Sequence, residues 1–297
     1  MAIVGYGAPL QPVDLAEPPF GPGDVRIAVE YCGVCGTDVK IAEGVMPFSP
    51  TLALPHVPGH EIVGVVAEAG PDVPLAPGTR VVLYDYGTCG SCRSCVGGRE
   101  TTCSRLRRRI GFTDPGGFQE SVTVPWTLAV PLPDTVAPVA AAALSCAIGT
   151  AYRATVTLGQ VRAGSTVAVV GAGGVGLHAA QIARAAGAAT VVVEPSPQRR
   201  SAAVAAGARA VAGVEDLRAL DDEIDVVVET SGHPAVVPGA VAAVAPGGRV
   251  VLVGYTPGAP MTLDAQDAVL KEVTVVAAAT PRARTCGPRS RSSRAAR

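Results

Sequence analysis

A glycine-rich turn between two valine-rich segments constrains the fold of this chain more than any other feature. In the stretch VAVVGAGGVGLHAAQIARAAGAATVVVE, Gly171, Gly173 and Gly176 follow a valine run and open an alanine-rich helical pattern. The pattern predicts a strand over 166–170, a helix ending at about residue 186 and a second strand over 190–193. Valine runs and helices alternate up to residue 279, which is typical of a parallel sheet covered on both faces. We therefore predict a doubly wound α/β domain over residues 151–279.

The same turn has the chemistry of a dinucleotide-binding site. Its first glycine permits a tight turn, its second lets the backbone approach a pyrophosphate, and its third lets helix and strand pack closely. The start of the helix supplies free N–H groups for phosphate. Glu194, 18 residues after the last glycine, is placed to accept both ribose hydroxyls, which favours NAD over NADP. The residues predicted to contact the cofactor here are Gly171, Gly173, Gly174, Val175, Gly176, Glu194 and Arg199.

Two alternatives stay open at this turn. Arg199 and its neighbour Arg200 could contact a 2′-phosphate, so NADP is not ruled out by the carboxylate. A glycine-rich turn of an α/β protein can also bind nothing, although the strand, helix and acidic residue are all in the expected places.

The rest of the chain differs from this pattern. Residues 1–150 are rich in proline and glycine with short β-branched runs, which predicts a β-rich domain with long loops. Residues 280–297 contain six arginines, no acidic residue and no apolar periodicity. We interpret this tail as a disordered, solvated segment rather than a nucleic-acid-binding arm.

Charge and hydropathy restrict the partners and the compartment. A net charge of −1 gives no global field for nucleic acid or an anionic membrane. The N-terminus lacks a signal-peptide pattern, and no apolar stretch has the roughly 20 residues needed to span a bilayer. We therefore expect a cytoplasmic protein with neither nucleic-acid nor membrane partners. Its cysteines should be thiols, which favours metal or catalytic roles over disulfides.

Four cysteines in one loop predict a structural zinc site. Cys89, Cys92, Cys95 and Cys103 form a C-x2-C-x2-C-x7-C pattern among loop-forming residues. Four thiolates suit a closed tetrahedral zinc site, which would substitute for a missing local core. A disulfide pair or an iron–sulfur cluster remains an alternative, although iron–sulfur spacings usually differ. The basic run RLRRR over 105–109 is interpreted as a solvated face.

A second set of soft ligands is dispersed along the chain. Cys35, His60 and Cys146 together would hold a zinc ion by three protein ligands and leave a fourth position open, as catalytic sites do. Each is weak evidence alone, because isolated cysteines and histidines are usually structural. Their value lies in occurring together with the cysteine quartet and the dinucleotide turn.

Six stretches in this order resemble the zinc-dependent medium-chain alcohol dehydrogenase family. They are GVCGTD, PGHEIVG, CGSCRSC, GGFQESVTVP, CAIGTAYRA and VAVVGAGGVGLHAAQIARAAGA, and the resemblance covers about residues 5–275. It implies a GroES-like catalytic domain over 1–150, a Rossmann cofactor domain over 151–279 and an active site between them. It also implies that Cys35, His60 and Cys146 hold a catalytic zinc, so that each chain carries two zinc ions.

The resemblance implies further roles at this site. Glu61 would lie beside the metal, and Asp38 would orient the ligand histidine. Thr37 would accept the proton of an alcohol whose pKa zinc lowers, before hydride passes to the nicotinamide. Thr150 would line the nicotinamide pocket. Lys40 occupies the position where many relatives carry a proton-relaying histidine, and it either relays protons, contacts a cofactor phosphate or faces water.

The C-terminal stretch departs from the family pattern. The family continues past EVTVVAAA with a segment that returns to the catalytic domain, whereas this chain has the arginine-rich tail. We therefore expect a truncated catalytic domain. The leading hypothesis is an NAD-linked zinc dehydrogenase acting on an alcohol or carbonyl compound, as a dimer or tetramer. The alternatives are an NADPH-dependent zinc carbonyl reductase and a catalytically impaired protein that binds zinc and NAD(H).

Overall fold

The computed structural model describes residues 1–220 and 223–279, and these form two compact units. The first unit is Met1–Cys146, and the second begins at Ala147. The division falls four residues before the boundary expected from the sequence. The arginine-rich tail predicted over 280–297 lies outside the described residues.

The first unit is built on a five-stranded antiparallel sheet in the order β6-β1-β2-β3-β7, with a separate two-stranded sheet of β4 and β5. Alternating β-branched residues direct one set of side chains, including Val25, Ile27 and Ile62, into a common core. The strands are β1 (Asp24–Gly33), β2 (Glu61–Ala69), β3 (Arg80–Leu83), β4 (Tyr86–Gly87), β5 (Arg108–Arg109), β6 (Ser121–Pro125) and β7 (Ala129–Pro131).

Short helices connect these strands. Long proline- and glycine-rich loops leave little room for longer helices, as the composition predicts. The helices of this unit are α1 (Gly36–Ala42), α2 (Arg93–Val96) and α3 (Pro138–Ala141).

The second unit is a six-stranded parallel sheet in the order β10-β9-β8-β11-β12-β13. Counted from β8, this is the 3-2-1-4-5-6 order of a Rossmann fold, which reverses direction between β8 and β11. The predicted fold class is therefore confirmed. The strands are β8 (Thr166–Val170), β9 (Ala189–Val193), β10 (Arg209–Val211), β11 (Ile224–Glu229), β12 (Val244–Leu252) and β13 (Thr274–Ala277).

Helices flank this parallel sheet on a core of small side chains. Ala179, Ala180 and Ala183 of the helix after β8 are fully buried, because alanine lets the helix lie close to the valine-covered sheet. That helix ends at Ala185, one residue before the expected end. The helices are α4 (Ala147–Tyr152), continued as a π-helix over Arg153–Leu158, α5 (Gly174–Ala185), α6 (Pro197–Ala205), α7 (Val236–Ala243) and α8 (Ala265–Leu270).

The helices are short for membrane-spanning segments. Within the described ranges, no single helix is long and apolar enough to cross a bilayer. One bent pair, Pro138–Ser145 with Ala147–Leu158, meets the length and composition criteria when taken together.

Candidate metal centres and cofactor site

Four donor side chains converge within the first unit. The ligand atoms of Cys35, His60, Glu61 and Cys146 all lie within 4.8 Å of one another. Cys35 caps the N-terminus of α1, His60 and Glu61 stand at the start of β2, and Cys146 follows a short 3-10 turn. Ser145 anchors that turn, because its hydroxyl donates to the backbone carbonyl of His60 at 3.2 Å.

Asp38 organises this cluster through three hydrogen bonds. Its Oδ2 accepts from the Cys35 backbone N–H at 2.8 Å, and its Oδ1 accepts from the Gly59 N–H at 3.1 Å. Its Oδ1 also lies 3.1 Å from Nδ1 of His60. The carboxylate favours a proton on Nδ1, which leaves Nε2 to face the cluster, 3.3 Å from the Cys146 sulfur. Asp38 is thus placed to orient the histidine.

The charges in this cluster depend on one another. The hydrogen bond with Cys146 is the main reason that the pKa of Cys35 falls to about 3; burial opposes this fall and His60 adds to it. The same bond and burial raise the pKa of Cys146 well above its ordinary value. Burial alone lowers the pKa of His60, but Asp38 and Cys35 outweigh it and raise that pKa to about 10. Burial is the main reason that the pKa of Glu61 is raised.

This donor set fits zinc. It offers two soft sulfur atoms and an imidazole nitrogen, with a carboxylate beside them in a buried environment. The protons held on His60 and Cys146 are the ones that a divalent cation displaces when it binds. Bonds of about 2.3 Å to sulfur and 2.0 Å to nitrogen give a separation of about 3.5 Å in a tetrahedral site, close to the 3.3 Å between Nε2 of His60 and Sγ of Cys146.

The cysteine quartet forms a second cluster. Four of the six sulfur–sulfur distances among Cys89, Cys92, Cys95 and Cys103 run from 3.5 to 4.0 Å, and all lie within 4.8 Å. A tetrahedron of metal–sulfur bonds of about 2.3 Å has edges of about 3.8 Å, so these distances suit one zinc ion. Backbone N–H groups of Cys89 and Cys92 donate to sulfur atoms at 3.4 and 3.3 Å, which stabilises thiolate charge. The loop is therefore preorganised for an S4 site.

The glycine turn of the second unit leaves space for a phosphate group. A Cβ on Gly176 would lie 1.9 Å from the Gly171 carbonyl oxygen, so the helix meets the turn there in direct contact. A Cβ on Gly173 or Gly174 would meet nothing within 4 Å. α5 begins at Gly174 without a side-chain cap, and the first N–H groups of a helix have no partner inside it. The turn therefore combines open space with free donors, as a pyrophosphate requires.

Side chains from neighbouring strands support this turn. Thr230, after β11, donates from its hydroxyl to the carbonyl oxygens of Val170 and Gly171, at 2.8 and 3.2 Å. Glu194 is buried after β9, and its Oε2 accepts from the Ala172 N–H at 2.8 Å. The carboxylate is thus held beside the turn.

The two arginines after Glu194 differ in position. Arg200 donates from Nη1 to the carbonyl oxygens of Glu194 and Pro195, at 2.8 and 2.7 Å, and so is used by the local backbone. Arg199 has an exposed side chain on the first turns of α6.

The sequence matches two family models. The alcohol dehydrogenase GroES-like domain matches residues 21–134, and the zinc-binding dehydrogenase model matches residues 174–288. An alcohol dehydrogenase of Geobacillus stearothermophilus is 34% identical over 260 residues, covering 85% of this chain and 76% of the relative. The chain belongs to the zinc-dependent medium-chain alcohol dehydrogenase family.

Other members of the alcohol dehydrogenase family are similar over most of the chain. An L-threonine 3-dehydrogenase of Anaeromyxobacter dehalogenans is 36% identical over 268 residues, covering 87% of this chain and 76% of the relative. The solved structure of an NAD-dependent alcohol dehydrogenase superposes with a TM-score of 0.87 at 30% identity, covering 95% of this chain and 85% of that one. The family establishes this protein as an oxidoreductase of small molecules whose site fits zinc and a nicotinamide cofactor.

Three further residues with predicted roles in the active site, Thr37, Lys40 and Thr150, lie in different elements or environments. The backbone N–H of Thr37 donates to the Cys35 sulfur at 3.5 Å, which places the threonine beside the first cluster. Lys40 is half-buried in the last turn of α1. Thr150 is buried in α4 of the second unit.

Sequence patterns did not identify Phe112, which packs against His60, or the residues packed near it. Residues 105–109 were interpreted as a solvated face, but the Arg109 side chain is only 22% exposed and lies over the rings of Tyr86 and Phe112. Asp85, buried after β3, was not singled out either. No sequence motif identifies these residues, because ring packing between loops has no short sequence signature.

Proposed function

We propose that this chain is a zinc-dependent dehydrogenase that transfers hydride between an alcohol, or its aldehyde or ketone, and NAD. The observation that carries the proposal is the convergence of Cys35, His60, Glu61 and Cys146, two of them buried and two half-buried, with His60 oriented by Asp38. A structural role alone would not need a histidine and a carboxylate in addition to the closed S4 site elsewhere in the same unit.

The proposal assigns two zinc ions to each chain. Cys35, His60 and Cys146 would hold one, and Cys89, Cys92, Cys95 and Cys103 would hold the other. Zinc at the first site, when bound, supplies a Lewis acid that lowers the pKa of an alcohol oxygen.

The chain's own residues would direct the proton and the substrate. Asp38 accepts a hydrogen bond from Nδ1 of His60, which makes Nε2 the nitrogen that would bind the metal once its proton is displaced. The Thr37 hydroxyl would accept the alcohol's proton, and Lys40 on the same helix would pass it towards solvent. Glu61, beside the ligands, would act as an exchangeable carboxylate. Thr150 would line the nicotinamide pocket.

The proposed cofactor is NAD rather than NADP. The Glu194 carboxylate beside the glycine turn supports this choice, because it accepts ribose hydroxyls but repels a 2′-phosphate. Arg200 is engaged with the backbone and is not directed to a phosphate. Arg199 would contact the adenosine end of the cofactor.

Metal analysis and paired cofactor titrations test the proposal. We expect two zinc ions per chain, NADH binding at least tenfold tighter than NADPH, and turnover on a panel of alkanols, polyols and L-threonine. Tighter binding of NADPH with faster carbonyl reduction would favour the reductase alternative. Two zinc ions and NADH binding without any turnover would identify an impaired dehydrogenase, and a chain holding one zinc or none would contradict the catalytic site.

A further inference from the structure

The imidazole of His60 has an aromatic neighbour as well as the Asp38 carboxylate. The centroids of the His60 and Phe112 rings lie 4.6 Å apart at an interplanar angle of 43°. Phe112 is buried in a small apolar cluster with Ile3, Ile41 and Met46. The Asp38 hydrogen bond directs Nδ1, and a contact on the ring face adds resistance to rotation of the imidazole about that bond.

The loop that carries Phe112 is joined to the segment that carries His60. Gly116 donates from its backbone N–H to the Val57 carbonyl at 2.7 Å, and Gly117 donates to the Gly59 carbonyl at 2.8 Å. A Cβ on Gly111 would lie 2.4 Å from the Gly59 carbonyl oxygen and 2.9 Å from the His60 Cβ. Close backbone approach therefore fixes where Phe112 sits relative to the histidine.

Arg109 restrains the Phe112 ring in turn. Its guanidinium carbon lies 3.7 Å from the Phe112 ring centroid and 4.5 Å from that of Tyr86. Such stacking favours a planar guanidinium over a lysine ammonium. A carboxylate oxygen of Asp85 lies 3.9 Å from an Arg109 guanidinium nitrogen and places an opposite charge beside this half-buried side chain.

We infer that Phe112, held by the Arg109 guanidinium, is a positioning residue for His60. It acts through the histidine and does not itself touch the substrate. The inference rests on the proposed function, since it assumes that His60 is a metal ligand. Loss of the ring contact should therefore weaken metal binding at this cluster and leave the cysteine quartet unaffected.

The test is loss of the two metals to a chelator, followed separately in wild type and variants. Phe112→Met keeps an apolar side chain of similar volume but no ring. We expect its His60 site to lose metal about 10–100-fold faster than wild type, with the quartet site unchanged. With Co²⁺ in place of zinc, the ligand-field absorption of this site should also shift. Phe112→Tyr, which keeps the ring, should restore most of the wild-type behaviour.

Phe48→Met is the matched control. Phe48 packs against the same apolar cluster, and its ring centroid lies 6.3 Å from that of Phe112. The Phe48→Met variant therefore removes a comparable ring that does not stack on His60. Its metal loss and Co²⁺ spectrum should match wild type even if its thermal midpoint falls. Equal acceleration in Phe48→Met and Phe112→Met would overturn the inference, because a general loss of packing would then explain both.

Arg109→Lys tests the same inference from the other side of the ring. It keeps the positive charge beside Asp85 but loses the planar stack, so metal loss should accelerate by severalfold. Arg107→Leu, an exposed neighbour in the same basic run, should have no effect. If Phe112→Met does not fold, wild-type metal retention in Arg109→Lys still refutes the inference. A wild-type protein that holds only the quartet metal refutes the proposed function, and this inference with it.

Discussion

Glu194 supports the glycine turn with both of its carboxylate oxygens. Its Oε2 accepts from Ala172 and its Oε1 accepts from the Ser196 N–H at 3.0 Å, so each oxygen makes one local hydrogen bond. A carboxylate offers about four lone-pair positions, which leaves about two for ribose hydroxyls. One side chain can therefore hold the turn and still recognise the cofactor.

Two glycines of this turn should respond differently to alanine. Gly176→Ala places a Cβ against the Gly171 carbonyl oxygen, so we expect a loss of stability of about 1–3 kcal/mol and weaker NADH binding. Gly174→Ala meets open space at the start of a helix, so stability should hold while NADH binding falls at least about tenfold, or ~1.4 kcal/mol. Denaturant unfolding and NADH titration measure both effects. Wild-type NADH affinity in Gly174→Ala would show that the cofactor does not lie on this turn.

Asp85 should make the protein's stability depend on pH. Burial raises its pKa from the ordinary 3.8 to about 6, with His60 and Arg109 opposing the rise. Between those values the folded state holds a proton that the unfolded chain releases, so stability falls as pH rises through this window. About two pKa units correspond to roughly 3 kcal/mol.

Asp85→Asn removes this titration. The unfolding free energy of the variant minus that of wild type should rise by roughly 3 kcal/mol between pH 4 and pH 7. Any cost that the missing carboxylate imposes on Arg109 shifts this difference by a constant and does not change its rise with pH. Denaturant unfolding of both metal-free proteins across this range measures the difference. A difference that stays flat with pH would mean that Asp85 titrates normally in the folded state.

The cysteine loop is an element with little core of its own. α2 spans four residues, and Val96 at its end is 76% exposed. Buried side chains here include two of the cysteines, Cys92 and Cys95. Metal binding, rather than apolar burial, should therefore stabilise this element.

Cys103→Ser should separate the two metal sites. We expect the bound metal to fall from two ions to one per chain, with rapid proteolysis within residues 88–103 and retention of the His60 site. Cys32→Ala is the control, because Cys32 belongs to neither donor cluster and should leave both ions bound. Two ions bound to Cys103→Ser would contradict the S4 assignment; elemental analysis with limited proteolysis measures both outcomes.

At the scale of the whole described structure, residues 1–220 and 223–279, the parallel sheet ends in an accessible strand. β13 pairs with β12, and no other described strand pairs with it. Val275 on β13 is 37% exposed, and Val269 and Leu270 of α8 are 72% and 75% exposed. An open edge with apolar side chains favours pairing with another chain.

We accordingly expect a homo-oligomer assembled through β13. Val275→Lys should shift the mass measured by light scattering towards the monomer, because a charge at the edge opposes strand pairing. Val204→Lys changes an exposed valine on α6 of the same unit and should leave the mass unchanged. A wild-type chain that is monomeric at all concentrations would remove the basis for this prediction.

Local patterns were sufficient for the second unit. β8 has the predicted bounds, and α5 ends within one residue of its predicted end, because a valine run, a glycine turn and an alanine-rich helix are each specified by neighbouring residues. The first unit was predicted only as β-rich. Its strand order depends on pairs such as β1 with β6, whose residues are about a hundred positions apart.

The sequence by itself determined the alternation of strands and helices in the second unit, the glycine turn and the spacing of the cysteine quartet, since each is specified by patterns of neighbouring residues. Only the tertiary structure decided that Phe112 packs against His60 and that Arg109, beside Asp85, packs on the Phe112 ring, because these residues meet through loops from distant points of the chain. It also decided that Glu194 bonds to the turn and that Arg200 bonds to the backbone. Such contacts depend on three-dimensional packing and hydrogen-bond geometry, which residue type and spacing do not encode on their own.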